Sequence, residues 1–403
     1  RTGTGRIACA GRWPRGMADT GQRLCGTVCV ASNGAQDARD ATNFRTHRLQ
    51  LTKTMSGLVM TWNKATPTNT LETSDMLLLV QPPLVSVLMI TYNHADYIAE
   101  AIEGVVKQEC SFPFELLIGE DASKDETLQI ALEYQKRYPH IIRIIHSENN
   151  VGMNENSWRI FEKARGKYVA YCEGDDFWCA PDKLTQQVAL MESNEKIGIV
   201  HSDWTRAHQK NGQWACDYTK SVHRRVASKY LSGNLFKTWH YPKILRTCTI
   251  LLRKNTIAEW YSSGLMNTKY HFGDSVLAAW ITARAQVGYL PIVTAVYRVS
   301  PNSVLRSGAK SRVAFYKSAL EFDTNARTFF GSKVNYQDGY RWDATAGLLL
   351  WSLRARDWAS AKMALLDFKR HFTLFRFIAT GYQTITMRLP TLQHQPRRIP
   401  GQR

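Results

Sequence analysis

The sequence predicts an α/β protein: a mainly parallel sheet flanked by helices, with a small helical C-terminal extension. Three observations carry this. Short apolar runs rich in β-branched residues alternate with segments whose apolar residues recur at helical spacing. The strand-like runs are nearly continuous in apolar character, as suits parallel strands buried on both faces. Several of them end in polar or acidic residues, at the carboxyl edge where open α/β sheets bind ligands.

The first such run is Leu84-Val85-Ser86-Val87-Leu88-Met89-Ile90, ending in Thr91-Tyr92-Asn93. Ile98, Ile102, Val105 and Val106 then fall on one side of a helix, which makes residues 97–108 the first crossover. A second strand over Phe114–Gly119 leads into the acidic turn Glu120-Asp121-Ala122-Ser123-Lys124-Asp125, and a helix runs from there to about Tyr138. The third strand, Ile141–Ile145, leads to Asn149-Asn150-Val151-Gly152 and a helix over about 154–164. The fourth, in Gly166-Lys167-Tyr168-Val169-Ala170-Tyr171, delivers Glu173-Gly174-Asp175-Asp176 into a turn. Adjacent carboxylates repel each other, and a cation between them relieves the repulsion. Mg²⁺ and Mn²⁺ prefer oxygen ligands and are commonly held by one or two carboxylates plus substrate phosphates. Taken alone, Asp175 and Asp176 also suit a solvated turn or a helix cap.

Together these motifs resemble the nucleotide-sugar-binding half of family 2 glycosyltransferases, over residues 84 to about 205. The resemblance rests on Val85-Ser86-Val87 through Asn93, the Glu120-Asp121 turn, Asn150-x-Gly152, Ala164-Arg165-Gly166-Lys167-Tyr168 and Glu173-Gly174-Asp175-Asp176, in that order. It implies the GT-A fold and an inverting, metal-dependent transfer of one sugar from a nucleotide-diphosphate sugar. By the same resemblance Thr91, Tyr92, Asn93, Glu120, Asp121, Asn150 and Asp175 are nucleotide-sugar contacts, and Asp176 is the ligand of Mn²⁺ or Mg²⁺. This chain has Glu120 and Glu173 where the family often has Asp.

Transfer also needs a base for the acceptor hydroxyl. Family members carry an acidic residue before a helix, then a Gly-Tyr strand and a Tyr-Arg turn. The matching order here is Gly273-Asp274, Val287-Gly288-Tyr289 and Tyr297-Arg298, which implies Asp274 as catalytic base, with His271 as the rival. Arg298 suits the diphosphate, with Arg306 as the alternative, because guanidinium forks match phosphate oxygens. A loop after Arg298 would be a natural lid.

The expected organisation is a disordered or spurious N-terminal extension over 1–83 and a GT-A domain over 84–310. That domain divides into a donor half (84–205) and an acceptor half (206–310), followed by a basic helical extension (311–403). Trp204, Trp214, Tyr218, Trp239, Tyr241, Trp260 and Tyr261 make the acceptor half aromatic, with packing the commoner role for such residues. Leu245–Arg253 reads as another core strand, and 344–353 and 358–372 as helices. Cysteines scattered singly suit a reducing cytoplasm.

The net charge of +18 raises a competing class, a basic adaptor docked on a membrane or a nucleic acid. No nucleic-acid motif is present. Residues 331–403 hold twelve Lys/Arg against four Asp/Glu, interleaved with Phe372, Leu374, Phe375 and Phe377, which suits an interfacial membrane segment. No uninterrupted apolar run is long enough to span a bilayer. The expectation is therefore a cytoplasmic enzyme, either soluble or peripherally bound at the inner membrane face. It would act on a glycan or lipid-linked glycan acceptor in polysaccharide or cell-envelope synthesis. A catalytically inactive nucleotide-binding protein is the other alternative.

Overall fold

The computed structural model describes residues 70–210, 212–223, 226–239, 245–265, 270–299, 308–331, 338–375 and 377–379. Its elements begin with strands β1 (Thr70–Thr73) and β2 (Val85–Thr91), helix α1 (Ile98–Val106), β3 (Phe114–Glu120) and α2 (Thr127–Arg137). They continue with β4 (Ile142–Ser147), α3 (Met153–Lys163), β5 (Tyr168–Tyr171), the short β6 (Phe177–Trp178) and α4 (Lys183–Glu192). The second half holds β7 (Ile197–Lys210), β8 (Gln213–Cys216), β9 (Leu251–Arg253), α5 (Lys254–Ser262), α6 (Asp274–Thr282) and β10 (Gln286–Arg298). Three helices follow: α7 (Ala309–Phe330), α8 (Asp338–Ala355) and α9 (Trp358–His371).

The strands form one sheet in the order β1-β4-β3-β2-β5-β9-β7-β10-β6, with β8 paired to β7. Strands β4, β3, β2 and β5 are parallel, as the crossover pattern predicts. Beyond them β9 runs antiparallel to both β5 and β7, while β7 and β10 are parallel. Alternate residues serve two cores. Val85, Val87 and Met89 pack with Ile98, Ile102 and Val105 of α1. Leu88, Leu117 and Val169 face the opposite layer with Ile160 and Phe161 of α3. Period-two alternation thus works on both faces at once, which is why these strands read as continuous apolar runs.

Two expectations are corrected. The ordered fold begins before residue 84: β1 pairs antiparallel with β4, and Glu72 meets the guanidinium of Arg143 at 2.9 Å. Residues 1–69 lie outside the described residues. Leu245–Arg253 is a strand only over Leu251–Arg253, because a 3-10 turn over Thr247–Thr249 precedes it. The expected helical C-terminal extension is present as α7, α8 and α9, and it packs onto the main core. Phe322 of α7 packs against Trp239, Tyr270 and Phe272 within the main core, and Asp323 is buried under Arg341 of α8 at 2.8 Å. Such a pair breaks at high cost when one partner is removed.

The Ala164-Arg165-Gly166 motif lies at the amino ends of the strands, away from the acidic turn. Glu115 is fully buried there, accepting from the Ser86 hydroxyl at 2.6 Å and from Arg143 and Arg165 at 3.0 and 2.7 Å. The Gly166 amide donates to Ser86 at 2.8 Å. The motif registers the start of β5 and touches none of the candidate site residues.

Candidate active site

The carboxyl ends of β2, β3 and β5 converge, as parallel strands require. Gly174 donates its amide to the Ile90 carbonyl at 3.0 Å, which sets the acidic turn beside the end of β2. A Cβ on Gly174 would lie 2.7 Å from Thr91 Oγ1 and 2.9 Å from His94 Nδ1, so only glycine permits this approach. Both of those atoms are buried without a hydrogen-bond partner in the structure.

Asp176 is 2% exposed. Its Oδ1 accepts the backbone N–H of Arg298 at 3.0 Å, at the end of β10, while β6 pairs antiparallel with β10 just beyond. Burial, reinforced by the charges of Asp175 and Glu173, pushes the Asp176 carboxyl well above the usual carboxylate range. Burial likewise pushes Glu173 up to about 7, with Asp175 adding to the rise. Single ligand atoms of Glu173, Asp176 and Cys248 lie within 4.8 Å of one another. Glu173 Oε2 is buried and unpartnered. Two carboxylates held this way suit a hard divalent cation. The Cys248 thiol, held protonated by burial, adds a soft neighbour rather than a third oxygen ligand.

The donor-side residues gather on the neighbouring loops. Tyr92 and Asn93 are exposed, and Asn93 takes a left-handed conformation with φ 54°. Asn93 Oδ1 accepts the Lys124 amide at 2.8 Å, and its own amide donates to the Ser123 hydroxyl at 2.9 Å. Glu120 and Asp121 are buried and turned onto loop backbone. Glu120 accepts the Ser123 amide at 2.7 Å; Asp121 accepts those of Val151 and Gly152 at 2.8 and 2.9 Å. Asn150 Nδ2 donates to the Asp121 carbonyl at 3.0 Å. These three side chains tie the β3 and β4 loops into one rim, with Asn93 latched to it through Ser123 and Lys124.

Arg298, expected on a diphosphate, is 2% exposed. Its guanidinium pairs with Glu100 of α1, donates to the Asp175 carbonyl at 2.9 Å and lies 4.6 Å from the Phe177 ring centre. It clamps the acidic turn from beneath. Arg306 lies outside the described residues. Asp274 is exposed at the first turn of α6, where its carboxylate accepts the Ser275 amide at 2.7 Å. It lines a small cleft with Leu245 and Thr247. His271, the rival base, is exposed three residues earlier.

Sequence reading missed Arg246. It stands 4.8 Å over Trp204 and 4.3 Å over Tyr297, with its Nε buried and unpartnered. Burial opposes its charge, but Asp274 and, further off, Asp176 hold it firmly cationic. Its charge is thus coupled both to buried Asp176 and to exposed Asp274. Its only sequence signal was a cation interrupting an apolar run, Ile244-Leu245-Arg246. Trp204, Trp239, Trp260 and Tyr261 are buried packing residues, while Trp214 and Tyr218 remain half-exposed; Tyr241 is outside the described residues.

Lys183 is buried under the turn, 2.5 Å from Gln187 Oε1 and 4.2 Å from the Trp178 ring centre. Burial pushes its amine down from 10.5 to about 7. Between those values the unfolded chain binds a proton that the folded chain does not, so folding stability rises with pH across that window. The urea midpoint of the wild type is therefore expected to rise from pH 7 to pH 9 relative to Lys183→Met. Parallel profiles for the two proteins would contradict a neutralised lysine.

The fold and these strand-end carboxylates define an α/β protein with an acidic, cation-compatible ligand site. Residues 86–256 match the model of glycosyl transferase family 2. An uncharacterized protein of Mycobacterium tuberculosis is 43% identical over 58% of this chain and 64% of its own length. An uncharacterized glycosyltransferase of Methanocaldococcus jannaschii is 33% identical over 32% of this chain and 44% of its own. The mannosyltransferase PcManGT of Pyrobaculum calidifontis, solved with GDP-Man and Mn²⁺, is 17% identical over 75% of this chain and 81% of its own, with a TM-score of 0.48. The chain thus covers less than two thirds of the length of the curated relatives named. No helix among the described residues is long and apolar enough to cross a membrane.

Proposed function

We propose that this protein transfers one sugar, with inversion, from a nucleotide-diphosphate sugar to a hydroxyl of a glycan, lipopolysaccharide or exopolysaccharide acceptor. The observation that carries the proposal is the gathering of half-buried Glu173 and buried Asp176 at the strand ends, with the cationic Arg246 coupled to both Asp176 and exposed Asp274. The match of residues 86–256 to the model of glycosyl transferase family 2 supports the reaction class.

Asp176 and Glu173 would hold Mn²⁺ or Mg²⁺, which when bound neutralises charge on the departing diphosphate. Tyr92 and Asn93, on the rim fixed by Glu120, Asp121 and Asn150, receive the nucleoside, with Thr91 and Asp175 lining the sugar side. Asp274 accepts the proton of the acceptor hydroxyl as its oxygen bonds to the anomeric carbon. The bond from that carbon to the diphosphate breaks, and its electron pair leaves with the phosphate oxygen. Arg246, held against the Trp204 and Tyr297 rings, is the guanidinium best disposed toward that developing charge. Arg298 acts as a positioning residue, since its Nη1 and Nη2 donate to the Asp175 carbonyl and to Glu100 from a buried place beneath the turn.

The test is a calorimetric screen of UDP, GDP, dTDP and CMP with and without Mn²⁺. Binding of one nucleotide only with the metal supports the reading; no binding by any of them sinks it. In Arg246→Met the successful diphosphate is expected to bind ~10-fold more weakly, while the corresponding nucleoside is unaffected.

A further inference from the structure

Helix α9 buries Ser360, Ala361 and Ala364 against the body of the protein. Its outer face is apolar where solvent-facing helices are normally polar. Trp358 and Leu365 stand seven residues apart on that face, Phe372 follows at the same interval just past the helix, and Trp358 is 68% exposed. The row continues beyond the helix into Leu374, Phe375 and Ile378, with Phe375 82% exposed. Lys362, Lys369 and Arg370 are exposed among these residues. The two aspartates of the segment do not neutralise them. Asp357 accepts the Ser360 amide at 3.0 Å and pairs with Lys317, and Asp367 is taken by Arg341 of α8.

We propose that this face docks on an anionic lipid bilayer, lying in the interface with its apolar row among the acyl chains and its cations at the headgroups. Charge decides between the occupants. A second copy meeting this face about a two-fold axis would bring the same cations together. The flanking chain is itself basic, with ten Lys/Arg against three Asp/Glu before residue 70, and four Arg and no acid after residue 379. A nucleic acid would satisfy the cations but leave leucine and isoleucine facing phosphate. An anionic bilayer satisfies both components. The inference is independent of the transfer chemistry and says where the enzyme would meet a lipid-linked acceptor.

The test is flotation of the full chain with vesicles of phosphatidylcholine alone and of equal parts phosphatidylcholine and phosphatidylglycerol. Binding is expected to the anionic vesicles only. It should weaken ~10-fold in Leu374→Asp/Phe375→Asp, and should lose most of its salt dependence in Lys369→Glu/Arg370→Glu. All four side chains are exposed, so unchanged melting temperatures are expected and separate lost docking from lost folding. Absence of flotation, equal flotation with neutral vesicles, a dimer dissociated by the aspartate pair, or oligonucleotide binding abolished by it would each overturn the proposal.

Discussion

Asp176→Asn is expected to abolish metal-dependent nucleotide binding without lowering the melting temperature of the metal-free protein. The amide keeps an oxygen for the Arg298 N–H, so the hydrogen bond to β10 survives. What disappears is one of the charges that burial and the neighbouring Asp175 and Glu173 make costly. Metal-free protein should therefore be as stable or more so. Nucleoside diphosphate affinity in Mn²⁺ should drop at least ~100-fold, about 2.7 kcal/mol. Opposite signs for stability and binding are the mark of a site held in repulsion for a ligand's sake. Thermal melting checks the stability, and calorimetry with and without Mn²⁺ checks the binding. Retained metal dependence would remove Asp176 from the cation site.

Asp274→Asn should lower kcat by ~10²–10⁴-fold, the usual range for a lost general base. The donor should still bind within about twofold of wild type, because the carboxylate's hydrogen bonds go to Ser275 and not to the donor rim. His271→Ala should cost far less, since that exposed ring is a rival only by proximity. The separation lies in the pattern. A fall in kcat confined to Asp274 assigns the base, an equal fall in both moves the assignment, and weakened donor binding in Asp274→Asn would mark a donor contact instead.

Much of the donor half was legible because each of its signals is local. Val85–Thr91 announces a buried strand by composition, and the glycine in Glu173-Gly174-Asp175-Asp176 is required by a contact with Thr91 that the motif order already brackets. What escaped depends on partners remote in sequence. Arg298 looked like a phosphate ligand because its residue type suits one, yet Glu100 lies 198 positions away and claims it. Arg246 gains meaning only from Trp204, Tyr297 and Asp274, none of them a sequence neighbour. Strand β1 went unread because four residues, Thr-Leu-Glu-Thr, carry too little period to announce a strand, and pairing with β4 decides it. Helix α7 was sensed only as helical tendency; its place in the core follows from Phe322 meeting rings on three other segments.

The hydrogen bond from Arg298 to Asp176 spans 122 positions, and that span bears on how the protein is made. A ribosome that has released residues 1–256 has delivered every acidic motif on the donor side, yet not the strand that seats them. Until β10 emerges and pairs with β6, the Glu173–Asp176 turn lacks both its amide partner and its guanidinium clamp. Long-range pairing of this kind is slow relative to local helix formation. Nascent chains should therefore pass through a stage with a formed β4-β3-β2-β5 sheet and no competence to bind a nucleotide, and a truncated domain cut at the end of the family match would stay there.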